Sequence, residues 1–550
     1  MPVVVLIPGR HHLLTKFQRG YLERLVRGGA DAPRFLDGSA MGERVDEVVF
    51  AVTSANHDGT RRNPVPFHLR AVQMERFSEG LGVPCRVFGI DDVGEIPDFA
   101  DYVAKKIRHD SDGTLDPDPA AWTVLCSTRV LEQWERLGYR ILPAELADRA
   151  TWRYAERLPW DGVEAVIQAA GELGDGWPDD PVVASIVHPA SIDVWRRYGL
   201  AERTRRIFAD DMLGDDGDLT ETRDYNEYVR EMDDIADLKW DDTGAFVKPG
   251  RIGDIGCAVG SWIKRAASEP RLRESDFYGV ELSRVLYSMC LRRKEAGEFP
   301  TPDVFFARKN AVERVFPERS MNTVHTSSLT HEIYSYGSAE ELAAFVAARF
   351  SELAPGGAWI NRDVIGPDDG SRRVLAWFRD DDGANPDDDD IAAFPRDTGD
   401  GPEGRDALEA AVSALSTMAR WRLFLRDWSA PGSPSRGEAG PVYGLERDGK
   451  RFWSCEQRLA CDFALKKDYA DNWASEMREA FCFRGYSGWK AAVEAAGFSV
   501  SPLSRRYRNE WIMANRIRGR VALYAEDDAG CLHELEWPET HMVMVSVRTV

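Results

Sequence analysis

The chain has 550 residues, of which 43% are hydrophobic and 29% charged, an ordinary globular composition that excludes wholesale disorder. Its 92 acidic and 70 basic residues give a net charge of −22, and such an acidic surface repels phosphate backbones, which disfavours nucleic acid as a partner. No apolar run approaches the ~18 residues of a membrane span. The eight cysteines are scattered without a CxxC pair. We therefore expect a cytoplasmic protein with reduced thiols, no membrane partner and no metal site built from cysteines.

Strand-like apolar runs alternate with helical patterns through the first 150 residues. The runs are Val3–Ile7, Val48–Val52, Arg86–Ile90 and Trp122–Cys126. This rhythm predicts a parallel sheet with crossover helices, which binds its ligands at the carboxyl ends of the strands. We assign residues 1–200 to this first domain and residues 201–249, which are mostly helical and acidic in pattern, to a linker.

A second α/β pattern begins at Gly250. Its predicted strands are Ile252–Ile255, Asp276–Val280, Val304–Ala307, Thr323–Ser328 and Ala358–Val364, with Val521–Tyr524 and His541–Val547 rejoining a sheet. We assign residues 250–367 and 485–550 to the core of this domain, and residues 368–484 to an acidic loop and a helical cap. The predicted fold class is α/β, with two doubly wound parallel-sheet domains, a helical linker and a helical cap.

The segment 250–260, GRIGDIGCAVG, is typical of a strand followed by a glycine turn that opens a helix. It resembles the first motif of class I S-adenosylmethionine-dependent methyltransferases, (D/E)xGxGxG, with alanine in place of the middle glycine. The resemblance implies a Rossmann-like methyltransferase in which Asp254 and the turn of Gly256, Ala258 and Gly260 hold the amino-acid end of S-adenosylmethionine. It also implies that Glu281 holds the ribose and that Asn310 lies near the adenine.

Candidate substrate-side groups follow the predicted fourth strand, in the segment 327–336, SSLTHEIYSY. The carboxyl end of that strand faces the ligand in a doubly wound sheet. His331 and Tyr334 are therefore candidate catalytic residues, as general base or hydrogen-bond donor, and an equally weighted alternative gives them a structural role.

A second, weaker motif follows the first predicted strand. The turn after it begins with Gly9 and Arg10, and Asn63-Pro64, Phe67 and Arg70 follow the second strand. This outline resembles nucleotidyltransferases of the nicotinamide-nucleotide adenylyltransferase type. The resemblance implies a site for a nucleoside triphosphate with Mg²⁺. Its nucleotide-binding residues would be Gly9, Arg10, His11, His12, Ser54, Arg70, Thr151 and Arg153.

The departure from that family lies in its HxGH signature, whose histidines fall on Thr15 and Gln18 here. Glutamine can donate a hydrogen bond to a phosphate but carries no positive charge in the transition state. Thr15 and Gln18 are the candidate catalytic residues of this domain. Active nucleotidyl transfer, nucleotide binding without catalysis, and a purely structural domain all stay open.

These motifs together predict a bifunctional transferase acting on small-molecule substrates. One alternative is a methyltransferase with an inactive nucleotide-binding regulatory domain, and another is an RNA-modifying enzyme, which the acidic charge disfavours. We expect the methyl acceptor to be small and anionic or nucleotide-like, because the cap contains Lys466, Lys467, Arg478 and Arg484. The alternative use of the cap is to form a homodimer.

Overall fold

Long-range contacts divide the protein into two compact units, Met1–Asp216 and Gly217–Val550. The computed structural model describes residues 2–29, 32–92, 98–210, 225–394, 402–428, 440–447, 449–470 and 472–549. Part of the predicted linker, residues 211–224, therefore lies outside the described residues. The predicted domain boundaries stay predictions.

The described residues of the first unit form seven strands and eight α-helices. The strands are β1 (Val4–Gly9), β2 (Glu47–Thr53), β3 (Cys85–Ile90), β4 (Trp122–Leu125), β5 (Arg140–Leu142), β6 (Leu146–Asp148) and β7 (Arg153–Tyr154). The helices are α1 (Lys16–Arg27), α2 (Phe67–Ser78), α3 (Phe99–Asp110), α4 (Leu131–Arg136), α5 (Pro159–Leu173), α6 (Pro181–Ile186), α7 (Pro189–Arg197) and α8 (Leu200–Ala209), with a 3₁₀ turn at Gly174–Asp179.

Strands β1 to β5 form a wholly parallel sheet in the order β3-β2-β1-β4-β5. The predicted strand–helix alternation is confirmed, because strands covered by helices on both faces are continuous apolar runs that are visible in sequence. Val48, Val49 and Val52 in β2 are fully buried, and separate apolar clusters pack on the two sides of the sheet. The order changes direction at β1, which places the β1–α1 turn at the switch point of the sheet.

The second unit carries the remaining strands and helices of the described chain. The strands are β8 (Arg251–Ile255), β9 (Asp276–Glu281), β10 (Val304–Arg308), β11 (Met321–Ser327), β12 (Leu353–Val364), β13 (Arg373–Phe378), β14 (Tyr443–Arg447), β15 (Lys450–Glu456), β16 (Ser499–Val500), β17 (Arg505–Tyr507), β18 (Val521–Glu526), β19 (Leu532–Glu534) and β20 (His541–Val547). The helices are α9 (Tyr225–Asp234), α10 (Ala236–Thr243), α11 (Ser261–Ala267), α12 (Arg284–Glu295), α13 (Thr330–Tyr336), α14 (Ala339–Glu352), α15 (Asp388–Ala393), α16 (Pro402–Ala414), α17 (Thr417–Trp428), α18 (Gln457–Lys466), α19 (Trp473–Glu476), α20 (Tyr486–Ala495) and α21 (Glu510–Ile512). Short 3₁₀ turns at Gly244–Phe246 and Pro270–Leu272 and a π turn at Met513–Ile517 complete the set.

The main sheet of this unit has the order β10-β9-β8-β11-β12-β20-β16, and β17 also pairs with β20. The first five strands are parallel and β20 is antiparallel to β12. The predicted α/β class with a Rossmann-like parallel sheet is therefore confirmed. Its switch point lies at β8, between β9 and β11, so the glycine turn after β8 opens at the ligand-binding edge.

The cap differs from the prediction of a purely helical element. Strands β13, β14, β15, β18 and β19 form a separate antiparallel sheet in the order β14-β15-β13-β18-β19. Of the two strands predicted to rejoin a sheet, His541–Val547 pairs with the main sheet, whereas Val521–Glu526 pairs with β13 in the cap. The cap has its own core, in which Phe378, Trp421 and Phe463 pack together. The sequence pattern identified the strand but not its partner, which lies far away along the chain.

Two further observations concern the chain as a whole. Within the described ranges, no helix combines the length and apolarity that a membrane crossing requires. All eight cysteines are free thiols.

Candidate cofactor and substrate site

The glycine turn after β8 adopts left-handed backbone at three alternate positions. The φ angles are 68° at Gly256, 50° at Ala258 and 77° at Gly260. A Cβ at Gly260 would lie 3.1 Å from the rings of Phe299 and Phe306, so both conformation and space demand glycine there. Ala258 holds a conformation that costs a non-glycine residue about 1–2 kcal/mol. The alanine in the motif is therefore a strained substitution within an otherwise preserved turn geometry.

Asp254, at the carboxyl end of β8, is buried and pairs with a histidine that the sequence analysis did not single out. Its Oδ1 lies 2.7 Å from Nδ1 of His325 on the neighbouring strand β11. The imidazole stacks flat on Trp262, with ring centroids 3.9 Å apart and planes at 4°. Burial lowers the pKa of His325, which favours the neutral ring, with Nδ1–H donating to Asp254. Its buried Nε2 has no hydrogen-bond partner among the residues that the structure describes. The sequence feature that could have identified His325 is a histidine inside an otherwise apolar strand.

Glu281 closes the other side of the turn from the end of β9. Its Oε2 accepts a hydrogen bond from the backbone N–H of Ala258 at 2.8 Å, and its Oε1 accepts from those of Leu282 and Ser283 at 2.9 Å. One carboxylate thus links the glycine turn to the start of α12. A carboxylate held by backbone donors at this edge is placed to receive hydroxyl groups of a ligand as well.

Asn310 lies two residues beyond the end of β10, on the same edge of the sheet. Its Oδ1 accepts a hydrogen bond from the backbone N–H of Val312 at 3.1 Å, and the side chain is partly buried. The side chain therefore shapes the turn that follows the third strand of the sheet. A contact with adenine stays a prediction.

His331 is the second residue of α13, directly beyond β11, and both of its ring nitrogens face carboxylates. Nδ1 lies 2.7 Å from Oδ1 of Asp363 and Nε2 lies 3.3 Å from Oε2 of Glu479. Burial opposes the charged ring, but these two carboxylates outweigh it and hold the pKa of His331 well above its usual range. A charged imidazolium with both nitrogens engaged is not poised to remove a proton. Of the two roles considered for His331, the geometry favours the structural one, in which the side chain bridges the main sheet and the cap.

The rest of α13 is fastened to the cap segment 475–483. The ring of Tyr334 stacks on Phe483 with centroids 4.2 Å apart, and the hydroxyl of Tyr336 donates to Oε1 of Glu479 at 3.1 Å. The backbone N–H of Ala480 donates to the Ser335 hydroxyl at 2.8 Å. Helix α13 and this segment therefore form one packed wall beyond the carboxyl end of β11.

The basic residues that suggested an anionic acceptor are largely engaged by the protein itself. Lys466 is fully buried, with its Nζ 2.5 Å from Oδ1 of Asp462 and donating to the backbone carbonyl of Glu479. The ammonium of Lys467 lies 2.6 Å from the carboxylate of Asp468. The guanidinium of Arg484 packs over aromatic rings and Arg478 is exposed. The charges of the two lysines are therefore compensated within the protein before any ligand binds.

In the first unit, Thr15 and Gln18 form a capping box at the start of α1. The Thr15 hydroxyl accepts a hydrogen bond from the backbone N–H of Gln18 at 3.1 Å. In return, the side-chain oxygen of Gln18 accepts one from the backbone N–H of Thr15 at 3.1 Å. The Gln18 amide also donates to Glu145 at 3.1 Å. Helix capping and the contact with Glu145 therefore account for both side chains without a ligand. Their catalytic role stays a prediction.

Arg70 and His11 are also occupied within the protein. The Arg70 guanidinium is fully buried and donates to the carbonyls of Arg10 and Thr53 at 2.8 and 2.9 Å and to that of Ser54 at 2.8 Å. It holds the ends of β1 and β2 together. Burial lowers the pKa of His11 to about 4, and its Nε2 lies 3.1 Å from the carbonyl of Ile7. A neutral imidazole of this kind adds no positive charge for a phosphate.

His12 differs from its neighbours because it is buried without ordinary hydrogen bonds. Neither ring nitrogen has a partner of hydrogen-bond geometry among the described residues, although the backbone of Arg62 lies near. Burial, followed by the nearby Arg70 and Arg10, lowers the pKa of His12 well below its usual value. The β1–α1 turn therefore encloses unsatisfied polar atoms beside positive charge, at the switch point of the first sheet.

The remaining predicted nucleotide-binding residues occupy the turns of the first unit. Gly9 ends β1, and the Ser54 hydroxyl donates to Asp92 at 3.2 Å. Thr151 is exposed and donates to Asp148 at 2.7 Å, and Arg153 is exposed in the short strand β7. Within the described residues, no group of histidine, cysteine and carboxylate side chains is arranged to hold a metal ion. The nucleotide with Mg²⁺ stays a prediction.

The chain is similar to solved structures of S-adenosylmethionine-dependent methyltransferases. One from Mesorhizobium loti is 14% identical, covering 57% of this chain and 99% of its own, with a TM-score of 0.29. One from Methanosarcina mazei is 11% identical, covering 56% and 95%, with a TM-score of 0.28. SpnF, a cyclase, is 13% identical, covering 58% and 82%, with a TM-score of 0.24. Neither a protein-family model nor a curated protein sequence matches. Likeness at this level does not establish a reaction, so function is argued from the site.

Proposed function

We propose that the second unit is an S-adenosylmethionine-dependent methyltransferase. The observation that carries this proposal is the turn of Gly256, Ala258 and Gly260, left-handed at all three positions and set at the switch point of the sheet. Carboxylates from the two adjacent strands bracket it, Asp254 on one side and Glu281 on the other. A glycine turn that lets the backbone approach a ligand, flanked by acceptors for amino and hydroxyl groups, suits an amino-acid nucleoside.

Each element of the turn has a distinct part in holding the cofactor. Asp254, oriented by His325, receives the amino end, and the open backbone at Gly256 allows the close approach. Glu281 receives the ribose diol, and Asn310 lies on the edge where the base would extend. When bound, the cofactor supplies an electrophilic methyl group on its sulfonium. The chain itself contributes position and the exclusion of water.

The acceptor side is the wall formed by α13 and the cap segment 475–483. The His331 imidazolium ties this wall to the main sheet through Asp363 and to the cap through Glu479. In this role His331 is a positioning residue that holds the two parts of the wall together. Because the nearby lysines are already paired, we propose a small-molecule acceptor bound chiefly by shape and hydrogen bonds. A small anionic or nucleotide-like acceptor stays a narrower form of the same proposal.

Isothermal titration calorimetry with S-adenosylhomocysteine tests the cofactor assignment. The full-length protein should bind it, and native mass spectrometry of the purified protein should detect retained cofactor. A surface variant, Glu274→Gln, serves as a matched control because its carboxylate is exposed. Absence of binding by the unmodified protein would refute the assignment.

We propose nucleotide binding as a second candidate function, for the first unit, favoured by the enclosed and unsatisfied His12 beside Arg10. A phosphate or base in this turn would supply the missing hydrogen bonds and compensate the positive charge. Nucleotidyl transfer follows only if pyrophosphate is released. Otherwise the domain binds a nucleotide as a regulatory module.

Thermal-shift scans with ATP or CTP and Mg²⁺ test this second candidate. The expected result is stabilisation that is lost in His12→Ala and retained in the surface control His109→Ala, whose imidazole is largely exposed. No stabilisation of the unmodified protein at about 100 times a micromolar dissociation constant would favour a structural domain.

A further inference from the structure

A buried group of carboxylates lies where α13 meets the cap, just beyond the carboxyl end of β11. Asp363 and Glu479 both approach the imidazole of His331, at 2.7 and 3.3 Å. Lys466 also lies here and donates to the backbone carbonyl of Glu479, but its ammonium is already paired with Asp462 at 2.5 Å. Two carboxylates therefore share the single charge of His331, and the group carries an excess of negative charge.

Glu476 adds a further carboxyl to this group. It ends the short helix α19, and its backbone carbonyl accepts a hydrogen bond from the N–H of Glu479 at 3.1 Å. The hydroxyl of Ser475, the preceding residue, lies 3.0 Å from the hydroxyl of Tyr336, which fixes this turn against α13. The enclosed Oε2 of Glu476 has no hydrogen-bond partner among the described residues. A buried acceptor without a donor is costly, and a ligand N–H would remove that cost.

The surroundings of Glu476 disfavour its ionisation in the absence of a ligand. Burial and then the charge of Glu479 raise the pKa of Glu476 to about 8, and Glu332 acts in the same direction. The cations His331 and Lys466 act in the opposite direction but do not offset the burial. The carboxyl is therefore mostly protonated near neutral pH, whereas a bound cation beside it would favour the ionised form.

We propose that this group of carboxylates binds the ammonium of an amine methyl acceptor, with Oε2 of Glu476 accepting one of its N–H groups. This inference rests on the proposed methyltransferase function, and it makes the acceptor cationic rather than anionic. An ammonium supplies the two things that the group lacks, a positive charge and a hydrogen-bond donor. An anionic acceptor would add to the negative charge instead.

Methyl transfer to a mixture of small metabolites tests the charge of the acceptor. The full-length protein is given S-adenosylmethionine with a deuterated methyl group, together with the small-molecule fraction of a cell lysate. Mass spectrometry identifies the products that carry the label, and ion-exchange chromatography gives their charge. The labelled products should be amines that a cation-exchange resin retains at neutral pH.

Glu476→Gln tests the residue itself. Glutamine has nearly the shape of a protonated glutamic acid, so the fold should be retained, which a thermal scan checks. Because the variant supplies no negative charge, the formation of labelled amine at limiting acceptor should fall about tenfold or more, while the affinity for S-adenosylhomocysteine changes by less than about twofold. Glu476→Asp should recover part of the loss, because it retains the charge. Glu274→Gln, at an exposed carboxylate, is the matched control and should leave both quantities unchanged.

Neutral or anionic labelled products, or no labelled product from a protein that binds S-adenosylhomocysteine, would overturn the amine site and leave the cofactor assignment standing. Amine formation by Glu476→Gln within about twofold of the unmodified protein would also overturn it. Failure of the unmodified protein to bind S-adenosylhomocysteine would overturn the proposed function and the amine site together. Labelled amines whose formation depends on Glu476 support the site.

Discussion

Glu281 offers the sharpest test of how the cofactor turn is built, through the variant Glu281→Gln. Its carboxylate accepts from three backbone N–H groups, those of Ala258, Leu282 and Ser283. Glutamine keeps one carbonyl oxygen and replaces the other with an NH₂ donor. If the carbonyl stays on the Leu282–Ser283 side, the NH₂ faces the N–H of Ala258 and that hydrogen bond is lost.

The magnitude follows from the number and type of these bonds. A hydrogen bond to a charged group is worth about 1.5–3 kcal/mol when buried, and partial exposure here reduces the expected loss of unfolding free energy to about 1–2 kcal/mol. For a unit of this size, with an unfolding entropy of about 2.1 cal/mol/K per residue, that corresponds to a melting temperature lower by about 1–3 °C. Loss of a hydrogen bond to the ribose should weaken S-adenosylhomocysteine a further tenfold to hundredfold, or about 1–3 kcal/mol.

Calorimetry measures the affinity and a thermal scan measures the stability of Glu281→Gln, with Glu274→Gln as the control. Both quantities should fall for Glu281→Gln and neither for the control. Binding within about twofold of the unmodified protein would refute the ribose role, because that contact is worth at least tenfold. An unchanged melting temperature would show that the carboxylate does not brace the turn.

Four other outcomes follow from particular contacts. Ala258→Gly should change the unfolding free energy by about 0 to +1 kcal/mol, because relief of the left-handed strain outweighs glycine's entropy; a loss above about 1 kcal/mol in urea titration contradicts this. Thr15→Ala should cost about 0.5–2 kcal/mol of stability as a lost helix cap, and no change in urea midpoint would argue against it. Arg70→Met should cost more than about 3 kcal/mol, since buried carbonyls lose their donor; chemical denaturation giving under about 1 kcal/mol would sink the structural role. Burial and the adjacent Glu479 raise the pKa of Glu476 to about 8. The stabilising contribution of this carboxyl is therefore present below about pH 4.5 and is lost as the pH rises to about 8. Glu476→Gln should accordingly raise the melting temperature more at about pH 8 than at about pH 5. Equal shifts at the two pH values would contradict this reasoning.

The cap shows why local pattern stops short of architecture. Val521–Glu526 is strand-like in sequence, but its partner β13 begins at Arg373, and residues far apart along the chain leave no mutual trace in a single sequence. The same holds for the cluster at the site. Asp254 and His325 lie 71 residues apart, and only the parallel pairing of β8 with β11 sets them side by side.

Sequence alone determined the strand–helix rhythm of both sheets, because parallel strands buried on two faces must be continuous apolar runs. It also determined the glycine turn with Asp254 and Glu281, since positive φ angles and close approach are demands on individual residues. Only the tertiary structure decided which polar groups are already engaged. Arg70, Thr15 and His331 carry the residue types of ligand-binding groups but are occupied by carbonyls, a helix end and two carboxylates. The burial that makes such pairing necessary is a property of the folded chain, because removing a charge from water is costly only where the surrounding segments exclude water.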